Sequence, residues 1–123
     1  MKDLTILAVD DDLINLKLLK SMLMKHDNVI EVIEAKNGSD AIGFIRSRPD
    51  INLMLLDIIM PIMNGLEVLK VVRSDENIEQ IPIIVLTTDE TKRTQALDLG
   101  ANEFLMKPIR KDDLYKKIQT TLV

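Results

Sequence analysis

The chain has 123 residues, of which 46% are hydrophobic and 29% charged, with a net charge of −4 and no cysteine. That length suits one globular domain, expected over residues 1–123, with enough apolar residues for a core. Disulfides, thiolate chemistry and cysteine–zinc sites are excluded, the acidic balance argues against direct nucleic-acid contact, and no apolar run approaches the roughly 20 residues of a membrane span.

No secretory leader pattern precedes the acids at Asp10, so a cytoplasmic location is expected. Residues 4–9 read as a first strand that runs directly into Asp10, Asp11 and Asp12. Over residues 13–25 the period becomes helical. Leu16, Leu19 and Leu23 form one stripe and Ile14, Leu18 and Met22 its neighbour, which predicts a wide buried face. Asp12 is the expected N-cap, and His26 is expected as a helix-terminus residue.

Residues 29–35 carry Val29, Ile30, Val32 and Ile33 and predict a second strand. Asn37-Gly38-Ser39 marks a turn, with Ser39 expected to cap a helix that runs through Arg46 and ends before Pro49. The third strand, residues 51–56, is an unbroken apolar run delivering Asp57, as in a strand covered on both faces. Asn64-Gly65 opens a helix through about Ser74 that shows Leu66, Leu69 and Val72 on one face.

Residues 81–86 predict a fourth strand that ends at Thr87, with Pro82 near its start, where a missing N–H is tolerated. A fourth helix is expected over residues 91–99, with Gly100 just past its end. Its apolar face is thin, so it is expected to be weakly held and responsive, together with the fifth strand, residues 102–106. Lys107-Pro108 follows that strand, and Asp112 or Asp113 starts a last helix carrying Leu114, Ile118 and Leu122. The seven methionines read as core filler, and Lys92-Arg93 and Lys116-Lys117 as solvated helix faces.

Five alternations of strand and helix predict an α/β fold, a doubly wound parallel sheet with helices on both faces. Ligands of such sheets bind at the carboxyl ends of the strands. Here those ends bear Asp10 and Asp11, then Asp57, Thr87 and Lys107. Acids gathered at one rim need protons, a cation or a lysine to stay together. With no cysteine and His26 elsewhere, an all-oxygen donor set suits a hard divalent cation, Mg²⁺ above all. A carboxylate beside a metal, an ammonium and a hydroxyl is equipment for phosphoryl transfer. On this reading Asp57 attacks, Asp11 and Asp57 ligate Mg²⁺, and Asp10 helps through water. Alone, each residue has a plainer reading: Asp10 and Asp11 as helix starters, Asp57 in a turn, Lys107 on the surface.

Taken in order, Val9-Asp10-Asp11, Leu56-Asp57 with Met60-Pro61 and Gly65, Leu86-Thr87, and Phe104 with Lys107-Pro108 resemble the receiver domain of two-component response regulators, of the chemotaxis-regulator type. The resemblance implies a flavodoxin-like (βα)5 fold with strand order 2-1-3-4-5. It implies Asp57 as acceptor of a phosphoryl group from a sensor histidine kinase or phosphotransfer protein. It gives Asp10, Asp11, Asp57 and the backbone carbonyl of Ile59 as Mg²⁺ ligands, and Thr87 and Lys107 as phosphoryl-stabilising groups. Thr87 and Phe104 are then the switch pair, and the Lys107–Pro108 bond is cis. Ile59 and Asp89 stand where the family tunes phosphate lifetime and access. Partners implied are a downstream protein or effector domain reading the face of the fourth helix, fifth strand and fifth helix. A phosphorylation-dependent homodimer stays open, and neither nucleic acid nor membrane is expected as a partner.

Such a chain is a signalling switch that catalyses its own Mg²⁺-dependent phosphorylation and dephosphorylation, not an enzyme. A phosphohydrolase resembling haloacid dehalogenases would want an acid at Ile59, and a flavin module would find its phosphate repelled by Asp10, Asp11 and Asp12. A degenerate docking receiver usually lacks the acceptor or the lysine, and both are present.

Overall fold

Six consecutive buried side chains, Leu4–Val9, form β1, an inner strand covered on both faces. The computed structural model describes residues 3–122; Met1, Lys2 and Val123 of the expected 1–123 domain lie outside the described residues. After β1 come α1 (Leu13–Met24), β2 (Val29–Ala35), α2 (Gly38–Ser47), β3 (Leu53–Asp57) and α3 (Gly65–Ser74). The chain continues with β4 (Ile83–Thr87), a 3₁₀ turn (Glu90–Lys92), α4 (Arg93–Asp98), β5 (Glu103–Met106) and α5 (Lys111–Leu122). The sheet is parallel in the order β2-β1-β3-β4-β5, the expected flavodoxin-like arrangement.

Alternation along each strand divides the core into two layers. Leu7, Val9, Met54, Leu56, Ile83 and Val85 face α2, α3 and α4, where Ala41, Leu69, Val72 and Ala96 pack on them. Ile6, Ala8, Leu53, Leu55 and Ile84 face α1 and α5 and meet Leu16, Leu19, Leu23, Leu114 and Ile118. Each large apolar side chain so buried contributes roughly 1.5–3 kcal/mol. Among the described residues no helix is long and apolar enough to cross a membrane.

The helices depart from expectation where side-chain chemistry overrides pattern. Asp12 does cap α1, accepting from the N–H groups of Ile14 and Asn15. Only Leu16, Leu19 and Leu23 of that helix are buried, however, so the expected wide face is narrow, with Ile14 73% and Leu18 58% exposed. Leu18 and Met22 of the second stripe instead line an open cleft with Leu86 and Ile109, which does not close over them. Asn37, not Ser39, caps α2, because its carbonyl oxygen lies 2.7 Å from the Asp40 N–H. Two of the methionines expected in the core, Met24 and Met106, are instead exposed. The expected fourth helix begins as a 3₁₀ turn, since Asp89 accepts from the Thr91 N–H and holds that first turn tight.

Candidate functional site

Strand register alone brings the polar residues together. Val9 pairs with Leu56, Asp57 with Leu86, and Thr87 with Met106, so the next residues along β1, β4 and β5 emerge at one edge beside Asp57. Asp57, at the end of β3, shares the side of Leu53 and Leu55, the layer of α1 and α5.

Asp10 and Asp57 are buried acids, 2% and 3% exposed, whereas Asp11 faces solvent. The three offer oxygens that all lie within 4.8 Å of one another. Lys107 sits between two of them, its Nζ 3.0 Å from Asp10 Oδ2 and 3.1 Å from Asp57 Oδ1. The other Asp10 oxygen accepts from the Asp12 N–H at 2.9 Å, which ties the acid pair to the start of α1. Burial, opposed by the Lys107 ammonium and reinforced by the neighbouring Asp10, pushes the Asp57 carboxyl up to about 6. The Ile59 N–H bonds the Asp57 carboxylate and pulls the other way. Lys107 is held above the usual lysine range: its own partial burial is outweighed by hydrogen bonds and charge from Asp10 and Asp57.

The backbone behind Asp57 is as constrained as its carboxylate. Gly65 donates its N–H to the Ile58 carbonyl at 2.8 Å. A Cβ at Gly65 would strike the Asp57 carbonyl oxygen and approach Ile58 Cα to 2.8 Å, so only glycine lets α3 start here. Asn64 and Glu67 close a capping box on the same helix end. Between them and Asp57 the loop carries Ile62 at φ 67°, fully exposed, in the left-handed region that a β-branched side chain rarely adopts. Ile59 is exposed, and Met60 and Met63 pack against the core under α2 and α3.

Thr87 is fully buried, and its hydroxyl oxygen accepts from the Asp89 N–H at 3.1 Å. Its carbonyl accepts from the Lys107 N–H at 2.9 Å, so the backbones of the two residues are coupled directly. The Lys107–Pro108 peptide bond is cis. Phe104, on β5, is turned into the α3–α4 layer, and the Arg93 guanidinium lies 5.8 Å from its ring centroid. Arg93 is thus not merely part of a solvated face. No periodicity could have indicated this, because the partner is 11 residues away on another element. His26 lies just past α1, where Nδ1 accepts from the Asn28 N–H and the ring meets Tyr115 edge-on at 4.7 Å, away from the acids.

The structure therefore brings together Asp10, Asp11, Asp57 and Lys107, with Thr87 on the adjacent strand. A 330 Å³ cleft beside them is lined by Leu18, Met22, Thr88 and Ile109 among others. The donor set fits a hard cation: three carboxylates, no nitrogen or sulfur ligand, and one member open to water.

Similarity to known proteins points the same way. The profile of the response regulator receiver domain matches residues 6–119. The chain is 35% identical to protein PilH of Pseudomonas aeruginosa over 120 residues, covering 95% of this chain and 96% of that one. It is 34% identical to a chemotaxis protein CheY homolog of Campylobacter jejuni, covering 95% and 91%. Among solved structures, chemotaxis protein CheY4 of Vibrio cholerae superposes with a TM-score of 0.87 at 29% identity, covering 98% of this chain and 99% of that one. The receiver domain of a Pseudomonas aeruginosa sensor histidine kinase, which has magnesium coordinated in its active-site cleft, gives 0.85 at 26% identity, covering 98% of both. Fold, acid cluster and sequence agree that this chain belongs to the response-regulator receiver family of two-component signalling.

Proposed function

We propose that residues 1–123 form one receiver domain in which Asp57 is the phospho-acceptor, loaded by a sensor histidine kinase or a phosphotransfer protein. The observation that carries this reading is the cluster itself: three carboxylates within 4.8 Å, two of them buried, with a single ammonium between those two. A carboxylate oxygen of Asp57 forms the new O–P bond as the P–N bond of the donor's phosphohistidine breaks, and the imidazole leaves with the electron pair.

Asp10, Asp11, Asp57 and the Ile59 carbonyl would hold Mg²⁺, which when bound supplies positive charge against the phosphoryl oxygens. Lys107 then turns from bridging two carboxylates to pairing with the phosphoryl group and Asp10. The Thr87 hydroxyl gives up the Asp89 N–H and donates to a phosphoryl oxygen. The resemblance implies a ring that turns inward into the space Thr87 vacates, and Phe104 already lies inward, so no such rotation is needed here. The read-out is the face of α4, β5 and α5, presented to a downstream protein or effector domain. A cytoplasmic location and catalysis by the chain of its own phosphorylation and dephosphorylation belong to the same reading. Phe104 carries no hydroxyl, so a partner contact that relies on a tyrosine at that position is excluded.

The test is to incubate the protein with Mg²⁺ and acetyl phosphate and follow its intact mass. One labile phosphoryl adduct is expected, absent in Asp57→Asn and lost on chelation. An adduct that persists unchanged in Asp57→Asn would displace the assignment.

A further inference from the structure

The two ends of α4 are held in different ways. The helix has six residues, and Ala96 is its only buried side chain. At the end nearest the acids, the 3₁₀ turn hangs from the sheet through the Asp89 N–H on the Thr87 hydroxyl. Arg93 over Phe104 adds a contact at the outer limit of cation–π range, with the arginine side chain 54% exposed.

The other end is tied down by Arg73, in the last turn of α3. Its Nε donates to the Gly100 carbonyl at 2.9 Å, one terminal nitrogen to Asn102 Oδ1 at 2.9 Å, and the other to Gln80 Oε1 at 3.1 Å. Asn102 in turn is fixed to β4: its Oδ1 accepts from the Ile83 N–H at 2.9 Å and its N–H donates to the Ile83 carbonyl at 2.8 Å. Gln80 donates to the carbonyls of Val72 and Ile78. Two segments, residue 80 and residues 100–102, thus converge on one guanidinium.

Gly100 is fitted to this arginine. It turns the chain at φ +109°, and a Cβ there would come within 2.8 Å of Arg73 Cγ. Its N–H donates to the Leu97 carbonyl and that of Ala101 to the Ala96 carbonyl, which closes the helix against the fixed point. The cation also lies where the helix carbonyls end, the favourable side of the peptide dipoles. None of its three acceptors is charged, so the arrangement depends on geometry and not on an ion pair. Partial burial lowers the proton affinity of this guanidinium, which still keeps its charge.

We propose that Arg73 is a positioning residue of the switch: it fixes the C-terminal end of α4 at Gly100, so that α4 answers phosphorylation by pivoting about that end and not by sliding as a body. This rests on the receiver reading above, in which Thr87 releases the Asp89 N–H. Release frees the weakly held end, while the guanidinium retains the other.

The experiment is residue-resolved amide exchange on the whole chain, with and without Mg²⁺ and beryllofluoride as the phosphoryl mimic. In the wild type, rates at residues 88–95 are expected to change by about fivefold or more and those at 99–102 by less than about twofold, a coupling in the ordinary range. Arg73→Met keeps the apolar stem and removes the three donors; its mimic-induced change is expected to spread into 99–102. Gln80→Ala, which deletes one of the three acceptors together with the Gln80 bonds to Val72 and Ile78, should spread it part of the way and is the check if Arg73→Met does not fold. Equal change at 88–95 and 99–102 in the wild type overturns the pivot. So do variants whose pattern of change matches the wild type. If the mimic leaves residues 57–61 and 87–89 unaltered in the wild type, the receiver reading itself fails and takes the pivot with it.

Discussion

Lys107 reaches Asp57 across the end of β4, Nζ to Oδ1 at 3.1 Å, and on its other side meets Asp10 at 3.0 Å. One ammonium therefore balances two buried acids. Removing it leaves like charges facing each other with little water to screen them. Lys107→Met is expected to lose about 1–3 kcal/mol of stability at pH 7, below the full cost of an orphaned buried charge because the lysine keeps some solvent contact. Urea unfolding with chelator present measures this. Added Mg²⁺ should recover more stability in Lys107→Met than in the wild type, since the cation replaces the missing charge.

The Asp57 carboxyl, raised to about 6, makes metal-free stability depend on pH. A carboxyl whose folded value is raised binds its proton more tightly when folded. The contribution is favourable near pH 4 and below and is lost as pH climbs through about 6. Wild-type protein in chelator is expected to weaken by at most about 3 kcal/mol between pH 4 and 7 from this group. Asp57→Asn should not show that decline. A parallel decline in both proteins, followed by thermal melts across this range, would assign it to other groups.

Metal and proton compete for the same oxygens. Mg²⁺ at ten times its dissociation constant is expected to stabilise the protein by about 1.4 kcal/mol at pH 7. The increment should shrink as pH falls below about 6, where Asp57 is protonated. Thermal melts with Mg²⁺, with and without chelator, check both statements.

Gly65→Ala drives a methyl group into the Asp57 carbonyl and the Ile58 backbone. Backbone cannot swing aside as a flexible side chain does, so α3 must retreat or the end of β3 must shift. A loss of about 2 kcal/mol or more is expected, with slower phosphorylation by acetyl phosphate. The contrasting change is Ile62→Gly. At φ 67° and fully exposed, Ile62 gives up no packing, and relief of the left-handed strain should raise stability by about 1 kcal/mol.

The site was readable in the sequence because the parallel sheet places it by rule. Residues that follow the strands must share one edge, and Asp10, Asp57, Thr87 and Lys107 do. Strand existence was equally plain, since β1 and β3 are buried along their whole length. Surfaces were harder to read. Ile14 and Leu18 belong to a helical apolar pattern, yet they stand uncovered, Leu18 beside an open cleft. Asn37 and Asp89 moved helix starts because one side-chain oxygen decides which N–H is satisfied first. The Arg73 anchorage was invisible: it joins residues 27 and 29 apart in sequence, and no period links them.

β1 lies inside the sheet, between β2 and β3, while β4 and β5 extend one flank in chain order. Asp10 and Asp57 can therefore meet as soon as β3 docks on β1, before β5 brings Lys107 to them. If β5 docks last, a half-built domain holds two opposed acids with no lysine between them for an interval. Mild acidity or millimolar magnesium should shorten that interval, and refolding rates recorded against each would reveal whether the last strand waits on charge.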